Sequence, residues 1–424
     1  MLSEDNKKII DALEETNKWW KGKFELEFKD KEIYRKISKF LDARQIIALT
    51  GLRRVGKTTI MFKIVEDYIK KGFDANRVIY FSYDYFRGVE IKEIMEVYSR
   101  LMNKDLDDGK YLFLFDEIQK LEHWEEQIKR IYDNHKNFKI IVSGSESLFI
   151  RKKSKESLAG RCFEFQIYPL NFREFLKFKG MEIKNIELYR EEILKAFNQY
   201  LLCGGFPETV DENEEFIKRY IKNLMEKIIY KDIPQVFPVK SPEVLEEILN
   251  IILLDPGQII NIDDLAGDLG ISRRTVSLYL NYLEKSFLIR KVYNFSRNTR
   301  KTQRKLKKYY PMIISSNLTK QENRGKIFEA RMIISLDAEF FWRDTYKNEV
   351  DVVKMIDDKI VPIEIKYSRI ETKPIKLFMK KFKVDEGIIL TYDKEKEIDF
   401  NGKKIRAIPF YKYFLNEEVE YNKK

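Results

Sequence analysis

The segment QIIALTGLRRVGKTTIMFKIVEDYIKK, Gln45 to Lys71, constrains the fold of this chain more than any other stretch. Gly51, Gly56, Lys57 and Thr58 stand in the spacing G-x-x-x-x-G-K-T. The β-branched run before them is of strand type, and Ile60, Met61, Ile64, Val65, Tyr68 and Ile69 recur afterwards at helical spacing. Strand, glycine loop and helix, in that order, aim backbone N–H groups and a helix N-terminus at phosphate oxygens. The spacing therefore predicts a phosphate loop made of Gly51, Leu52, Arg53, Arg54, Val55, Gly56, Lys57, Thr58 and Thr59. In it Lys57 neutralises the β and γ charges of ATP, and Thr58 is a ligand for Mg²⁺. Arg53 and Arg54 are expected at the surface.

Two further strand-like runs complete the pattern. YLFLFDEIQKLEHW, from Tyr111, is apolar enough for a parallel sheet and ends in Asp116 and Glu117. Asp116 is expected to hold Mg²⁺ through water, and Glu117 to orient or deprotonate the attacking water. FKIIVSGSES, from Phe138, ends in Ser143 and Ser145, which read equally well as γ-phosphate sensors or as loop serines. Arg161, after a glycine in SLAGRCFEFQ, is a candidate to stabilise the transition-state charge, from its own chain or from a neighbouring subunit. Trp19 and Trp20 are expected to pack the N-terminal segment onto the core, with a place beside the base as the alternative.

In this order, the phosphate loop, FDEIQ, GSES, SLAGR, YPLNFREF and YLLCGGFPE resemble the archaeal P-loop ATPases related to the AAA+ and STAND (signal-transducing) classes, over nearly the whole chain. The resemblance implies a winged helix and often a restriction-endonuclease-like domain toward the C-terminus. It also implies a lid in which Gly205 and Pro207 approach the base, whereas the residues alone read as a helix-ending Gly-Gly-Phe-Pro. The expected fold class is α/β: a P-loop core with a parallel sheet (1–170), a helical lid (171–240), a winged helix (241–312) and a PD-(D/E)xK nuclease-like α/β domain (313–424).

Composition narrows the setting. A chain of 424 residues fits about two to four domains. With 44% hydrophobic residues and a mean hydropathy of -0.46, it reads as soluble. Only Cys162, Cys203, His123 and His135 carry sulfhydryl or imidazole groups, which disfavours a disulfide scaffold or zinc site. With no apolar run of about 18 residues, the expectation is a cytoplasmic protein without a membrane partner. The net charge of +11 is compatible with a polyanionic partner or with a thermophile's charged surface.

A DNA partner is read from NIDDLAGDLGISRRTVSLYLNYLEKSFLIRKVY. Asn261 caps one short helix, Gly270 closes it, and Ser272 caps a second with Val276, Leu280 and Leu283 on one face. The outward residues Arg273, Arg274 and Thr275 stand where such a helix meets bases or phosphates. From Arg290 to Lys308 the run holds nine basic residues and no acid, Arg300 and Arg304 among them. The alternative is a lid or protein contact with a merely solvated basic run.

A second set of carboxylates lies in NEVDVVKMIDDKIVPIEIKYS. A two-residue turn at Asp357 and Asp358 makes Asp351 and Glu364 cross-strand partners, with Lys366 on their face and Ile363 and Ile365 in the core. Like charges so close require a lysine or a cation between them, or one pKa rises. Mg²⁺ held by Asp351, Glu364 and the Ile365 carbonyl, with Lys366 positioning hydroxide, would prepare a phosphodiester for attack. Glu329, on an upstream helix, is similar to the helix glutamate of PD-(D/E)xK enzymes and joins the metal set by that resemblance. Glu349 reads as a solvated neighbour. The expected function is a DNA repair or recombination ATPase, with a STAND-like switch bearing an inactive nuclease fold as the alternative, in either case compatible with a homo-oligomer.

Overall fold

The computed structural model describes residues 4–84, 86, 88–145, 158–298, 306–315, 324–356 and 359–416. They form two compact units, Met1–Pro169 and Leu170–Lys424.

The first unit is built on a parallel sheet of five strands: β1 (Ile46–Thr50), β2 (Val78–Ser82), β3 (Tyr111–Asp116), β4 (Phe138–Gly144) and β5 (Cys162–Gln166), in the order β2-β3-β4-β1-β5. Every residue of β1, β3 and β4 is buried, as continuous apolar runs require when both faces of a sheet are covered. On one face Phe81, Phe113, Phe115 and Val142 pack with Leu13, Ile94, Tyr98 and Ile128 from three helices. The helix Lys57–Lys70 buries Ile60, Met61, Ile64 and Val65, four of the six residues its spacing singled out, while Tyr68 and Ile69 are half-buried. The indole N–H groups of Trp19 and Trp20 both donate to the Val78 carbonyl, at 3.0 and 2.9 Å. Val78 opens β2, so the tryptophans pack at the sheet edge opposite the phosphate loop.

The second unit combines helices with two further five-stranded sheets. One contains β6 (Gln258–Ile259), β7 (Ile289–Asn294), β8 (Lys307–Pro311), β9 (Phe340–Arg343) and β10 (Glu349–Val350) in the order β10-β9-β7-β8-β6. The other contains β11 (Val352–Ile356), β12 (Lys359–Lys366), β13 (Glu386–Thr391), β14 (Lys396–Phe400) and β15 (Lys403–Pro409) in the order β11-β12-β13-β15-β14. The two short helices foreseen after residue 260 span Ile262–Asp268 and Arg273–Lys285. The Asn261 side chain accepts from the Asp263 N–H at 3.0 Å and Ser272 Oγ from the Thr275 N–H at 3.1 Å. Gly270 takes a φ of +63° at the turn between them. β7, before residue 312, runs parallel to β9, after it, with Tyr293 opposite Phe340. Strands on both sides of 312 share one sheet because β7 has two edges, and β8 covers only one of them.

Candidate functional site

Glycine is obligatory at the mouth of the phosphate loop. Gly51 has a φ of +141°, and a Cβ there would lie 2.2 Å from the Ile167 carbonyl oxygen. Gly56 takes a φ of +94° and opens the helix that begins at Lys57. Leu52 and Val55 are buried, Arg53 half-buried, and Arg54 and Thr59 exposed. Lys57 is buried, its Nζ donating to the Gly51 and Leu52 carbonyls at 3.0 and 2.9 Å. A buried ammonium held beside left-handed backbone and a helix N-terminus is an anion cradle.

The acids of β3 meet this cradle from two strands away, because β4 lies between β1 and β3. Asp116 Oδ2 accepts from Thr58 Oγ1 at 2.7 Å and from the Tyr80 hydroxyl at 2.8 Å. Burial and then the Asp116 charge push the Tyr80 phenol well above its usual range, so it stays a donor. Ser143 Oγ donates to Asp116 Oδ1. Glu117 sits at a φ of +52°, its N–H shared between Asp116 Oδ1 at 3.1 Å and Ser143 Oγ at 3.2 Å. Glu117 Oε1 lies 3.9 Å from Lys57 Nζ, and Glu117 Oε2 accepts from Gln119 Nε2 at 2.6 Å. Ser143 and Ser145 both bond to groups of the acid pair's network, Ser145 through Gln119.

Thr58 and Asp116 are two hard oxygen donors side by side, which fits Mg²⁺ bound jointly with phosphates. Lys31 escaped the sequence reading. It is buried, and its Nζ donates to the Val55 carbonyl of the loop at 3.1 Å and to the Tyr168 carbonyl at 2.7 Å. No local pattern marks a lysine whose partners lie 24 and 137 residues away.

Arg161 does not join the cradle of its own chain. It precedes β5, at the sheet edge where the strands begin, and its guanidinium is paired with Asp133 at 3.0 Å. The length of β5 sets it about 16 Å from the loop edge, at roughly 3.3 Å per residue. Gly205 and Pro207 belong to the second unit. There Gly204 ends the helix Arg190–Cys203 at a φ of +66°, the Gly205 carbonyl accepts from the Leu170 N–H at 2.7 Å, and Pro207 opens a short 3₁₀ turn.

The hairpin of the second unit has the foreseen register, Val352 opposite Ile363 and Ile356 opposite Lys359, while Asp357 and Asp358 lie outside the described residues. Asp351 Oδ2 accepts from the Ile365 N–H at 2.8 Å, Lys366 Nζ pairs with Glu364 Oε1 at 2.7 Å, and Ile363 and Ile365 are buried. Burial and then Asp351 lift the Glu364 carboxyl well above the carboxylate range, with Lys366 opposing only in part. Burial and then Asp351 raise Glu329 to about 7, against the pull of Lys308. Glu329 also accepts from the Tyr310 hydroxyl at 2.7 Å.

One expectation is corrected here, that of Glu349 as a solvated neighbour. Glu329 and Glu364 both feel the Asp351 charge, and among the described residues no group of three His, Cys, Asp or Glu side chains that could hold a metal ion is found. The positive charge comes instead from Lys308, a buried lysine that pairs with Glu349 and lies 3.8 Å from Glu329. Burial works against its charge, but Glu329, Asp351 and Glu349 outweigh burial and hold the ammonium above its usual pKa. Glu349 is thus part of the cluster, bonded to Lys308 and 3.4 Å from Arg343. Lys308 is also withdrawn from the basic run, as are Arg290 (paired with Asp337), Lys291 (paired with Glu284) and Arg297 (bonded to the Phe382 carbonyl). Arg300 and Arg304 lie outside the described residues. Arg273 and Arg274 are exposed and Thr275 half-buried at the start of their helix, with Arg273 paired to Asp263 at 2.7 Å.

Residues 43–176 match the family profile of the AAA domain, and residues 194–312 and 332–413 match two domains of unknown function. The first unit has the P-loop ATPase fold. Beyond this AAA segment, an uncharacterized protein of Methanocaldococcus jannaschii is 29% identical over 92% of this chain and 93% of its own length. A second from that organism is 30% identical over 67% of this chain, and one from Haemophilus influenzae is 26% identical over 61%; the chain spans 64% of the length of each. Among solved structures, AMPPCP-bound DnaA from Aquifex aeolicus aligns at 18% identity and a TM-score of 0.27, covering 60% of this chain and 86% of that one. A DNA polymerase III gamma subunit-related protein from Thermotoga maritima aligns at 11% and 0.26, covering 60% and 100%. Alignments at such scores carry no argument about this chain. No helix among the described residues is long and apolar enough to cross a membrane.

Proposed function

We propose that this chain is an ATP-driven switch whose first unit binds and hydrolyses ATP and whose second unit carries the output. The observation that supports it best is the 2.7 Å contact of Thr58 Oγ1 with Asp116 Oδ2, which joins the loop hydroxyl to the acid at the tip of β3, two strands away. Thr58 and Asp116 would hold Mg²⁺, which shields the charge on the phosphoryl oxygens. Lys57 and the loop N–H groups fix the β and γ phosphates, and Glu117 orients the attacking water and takes its proton. Gly205 and Pro207 remain the residues proposed for the base. Arg161 has no role within its own subunit in this reading. The test is Glu117→Gln: kcat for ATP should fall about 100- to 1,000-fold with the ATP Kd within about threefold. A folded chain without affinity for ATP or ADP would end the proposal.

For the second unit, the neutralised carboxylate cluster favours a signalling or defence switch with a silent nuclease-like fold over a DNA-cleaving enzyme. The internal partners of Arg290, Lys291 and Arg297 point the same way. DNA contact by Arg273, Arg274 and Thr275 on a winged helix, extended by Arg300 and Arg304, is the competing reading. ATPase rates with and without several DNA structures separate the two. Stimulation by DNA, or Mg²⁺-dependent nicking lost in Asp351→Ala, would reverse the choice.

A further inference from the structure

Gln119 follows the acid pair in FDEIQ and has no role in the mechanism above. It lies in a 3₁₀ turn, Ile118–Lys120, directly after Glu117, and the Lys120 N–H closes that turn on the Glu117 carbonyl at 3.1 Å. The turn folds the Gln119 side chain back over its neighbour's carboxylate. A carboxylate only accepts, so the amide nitrogen must be the atom facing Glu117 Oε2 at 2.6 Å, which fixes the orientation of the amide. The same Nε2 donates to Ser145 Oγ at 3.1 Å. Ser145 is buried and ends the described part of the β4 tip. Both amide protons are thereby used, and Gln119 Oε1 is buried without a donor among the described residues.

We propose that Gln119 is a positioning residue of the ATPase centre, aiming the Glu117 carboxylate and tying it to Ser145 on β4; this rests on the reading of Glu117 as the group that directs water. Glu117 is buried and takes a left-handed backbone conformation just past the end of β3. Lys57 is too far from it for a hydrogen bond, so the short amide contact is what selects one direction for the carboxylate. Gln119 Oε1 can accept a hydrogen bond from a water held by Glu117, which gives that water a second orienting contact. Ser145 fixes the amide from the strand beside the phosphate loop. A shift of the β4 tip therefore moves the base with it.

The experiment is steady-state and single-turnover ATP hydrolysis by the full chain with Mg²⁺, together with titration of a fluorescent ATP analogue and thermal unfolding. Gln119→Ala should lower kcat about 10- to 100-fold with the nucleotide Kd unchanged within about twofold and the same Tm. The isosteric Gln119→Glu, which loses both donors and adds a like charge, should fall further, and Ser145→Ala should lose only a few-fold. In the Glu117→Gln background, Gln119→Ala should cost nothing more, since the two residues act as a unit. A Glu117-dependent rate indifferent to Gln119→Ala overturns this inference and leaves the ATPase reading standing. Equal losses in both backgrounds, or a kcat loss that follows Kd or Tm, also overturn it. Hydrolysis indifferent to Glu117→Gln overturns both.

Discussion

Each unit gathers buried acids, and the two clusters differ in what holds them. In the first unit, Asp116 and Glu117 are held largely by neutral donors: Thr58, Tyr80, Ser143, a backbone N–H and Gln119. Those bonds come from neutral groups and orient the acids without an internal counter-ion in hydrogen-bond contact, leaving them available to a cation. In the second unit, Glu329, Glu349 and Glu364 face Lys308 and Lys366. That cluster is neutralised from within, so a divalent ion would have to displace the buried Lys308 and the half-buried Lys366. The same residue types, on strands of equally apolar sequence, are thus committed to opposite ends.

The comparison can be broken most severely at its lysines. Lys57→Ala should abolish measurable ATP hydrolysis and weaken nucleotide binding by about 100-fold or more, because it removes the lysine that the proposed mechanism sets against the β and γ phosphates. Titration with a fluorescent nucleotide checks this, and near-normal affinity would remove the contrast between the clusters. Lys308→Met should leave Glu329 and Glu349, both half-buried, without the Lys308 ammonium, with Arg343 still beside Glu349, at a cost of about 1–3 kcal/mol in urea unfolding. The same variant tests whether the lysine stands in for a metal. Its divalent-ion affinity, measured by calorimetry in a Lys57→Ala background, should be at least as high as that of the parent, and strong binding by the parent would contradict internal neutralisation.

A smaller effect follows from pH. Glu329, faced by Asp351, Lys308, Tyr310 and Glu349, has a folded pKa of about 7 against an ordinary value of 4.5. The folded chain therefore holds a proton that the unfolded chain has released, and stability should fall as pH rises from 4.5 through 7. Glu364 is raised as well and adds in the same direction. Unfolding midpoints across that range should show a shallower decline in Glu329→Gln, and an unchanged slope would show that Glu329 is not the source. The smallest expected effect is that of Arg161→Ala in dilute enzyme, about twofold or less in kcat, since its guanidinium pairs with Asp133 at the far edge of the sheet. A large loss that appears only at high protein concentration would assign Arg161 to a neighbouring subunit.

What could be read from the residues alone was local. Glycine spacing before a 3.6-residue period placed the phosphate loop, because its geometry is made by eight consecutive residues. A two-residue turn set the 351–364 hairpin, because strand register follows from turn length. Caps at Asn261 and Ser272 likewise depend on neighbours two or three positions away. What the tertiary structure decided lay in long-range pairings. Lys308 looked like one more charge in a basic run, and only the pairing of β8 with β7, and of β7 with β9, brings it to Glu349, 41 residues on. Gln119 meets Ser145 only because β3 and β4 are adjacent, and Arg161 is turned from the phosphates by the edge of the sheet at which β5 begins. Sequence spacing determines which side chains share a turn or a face, whereas the counter-ion of a buried charge is chosen by whichever strand the fold lays beside it.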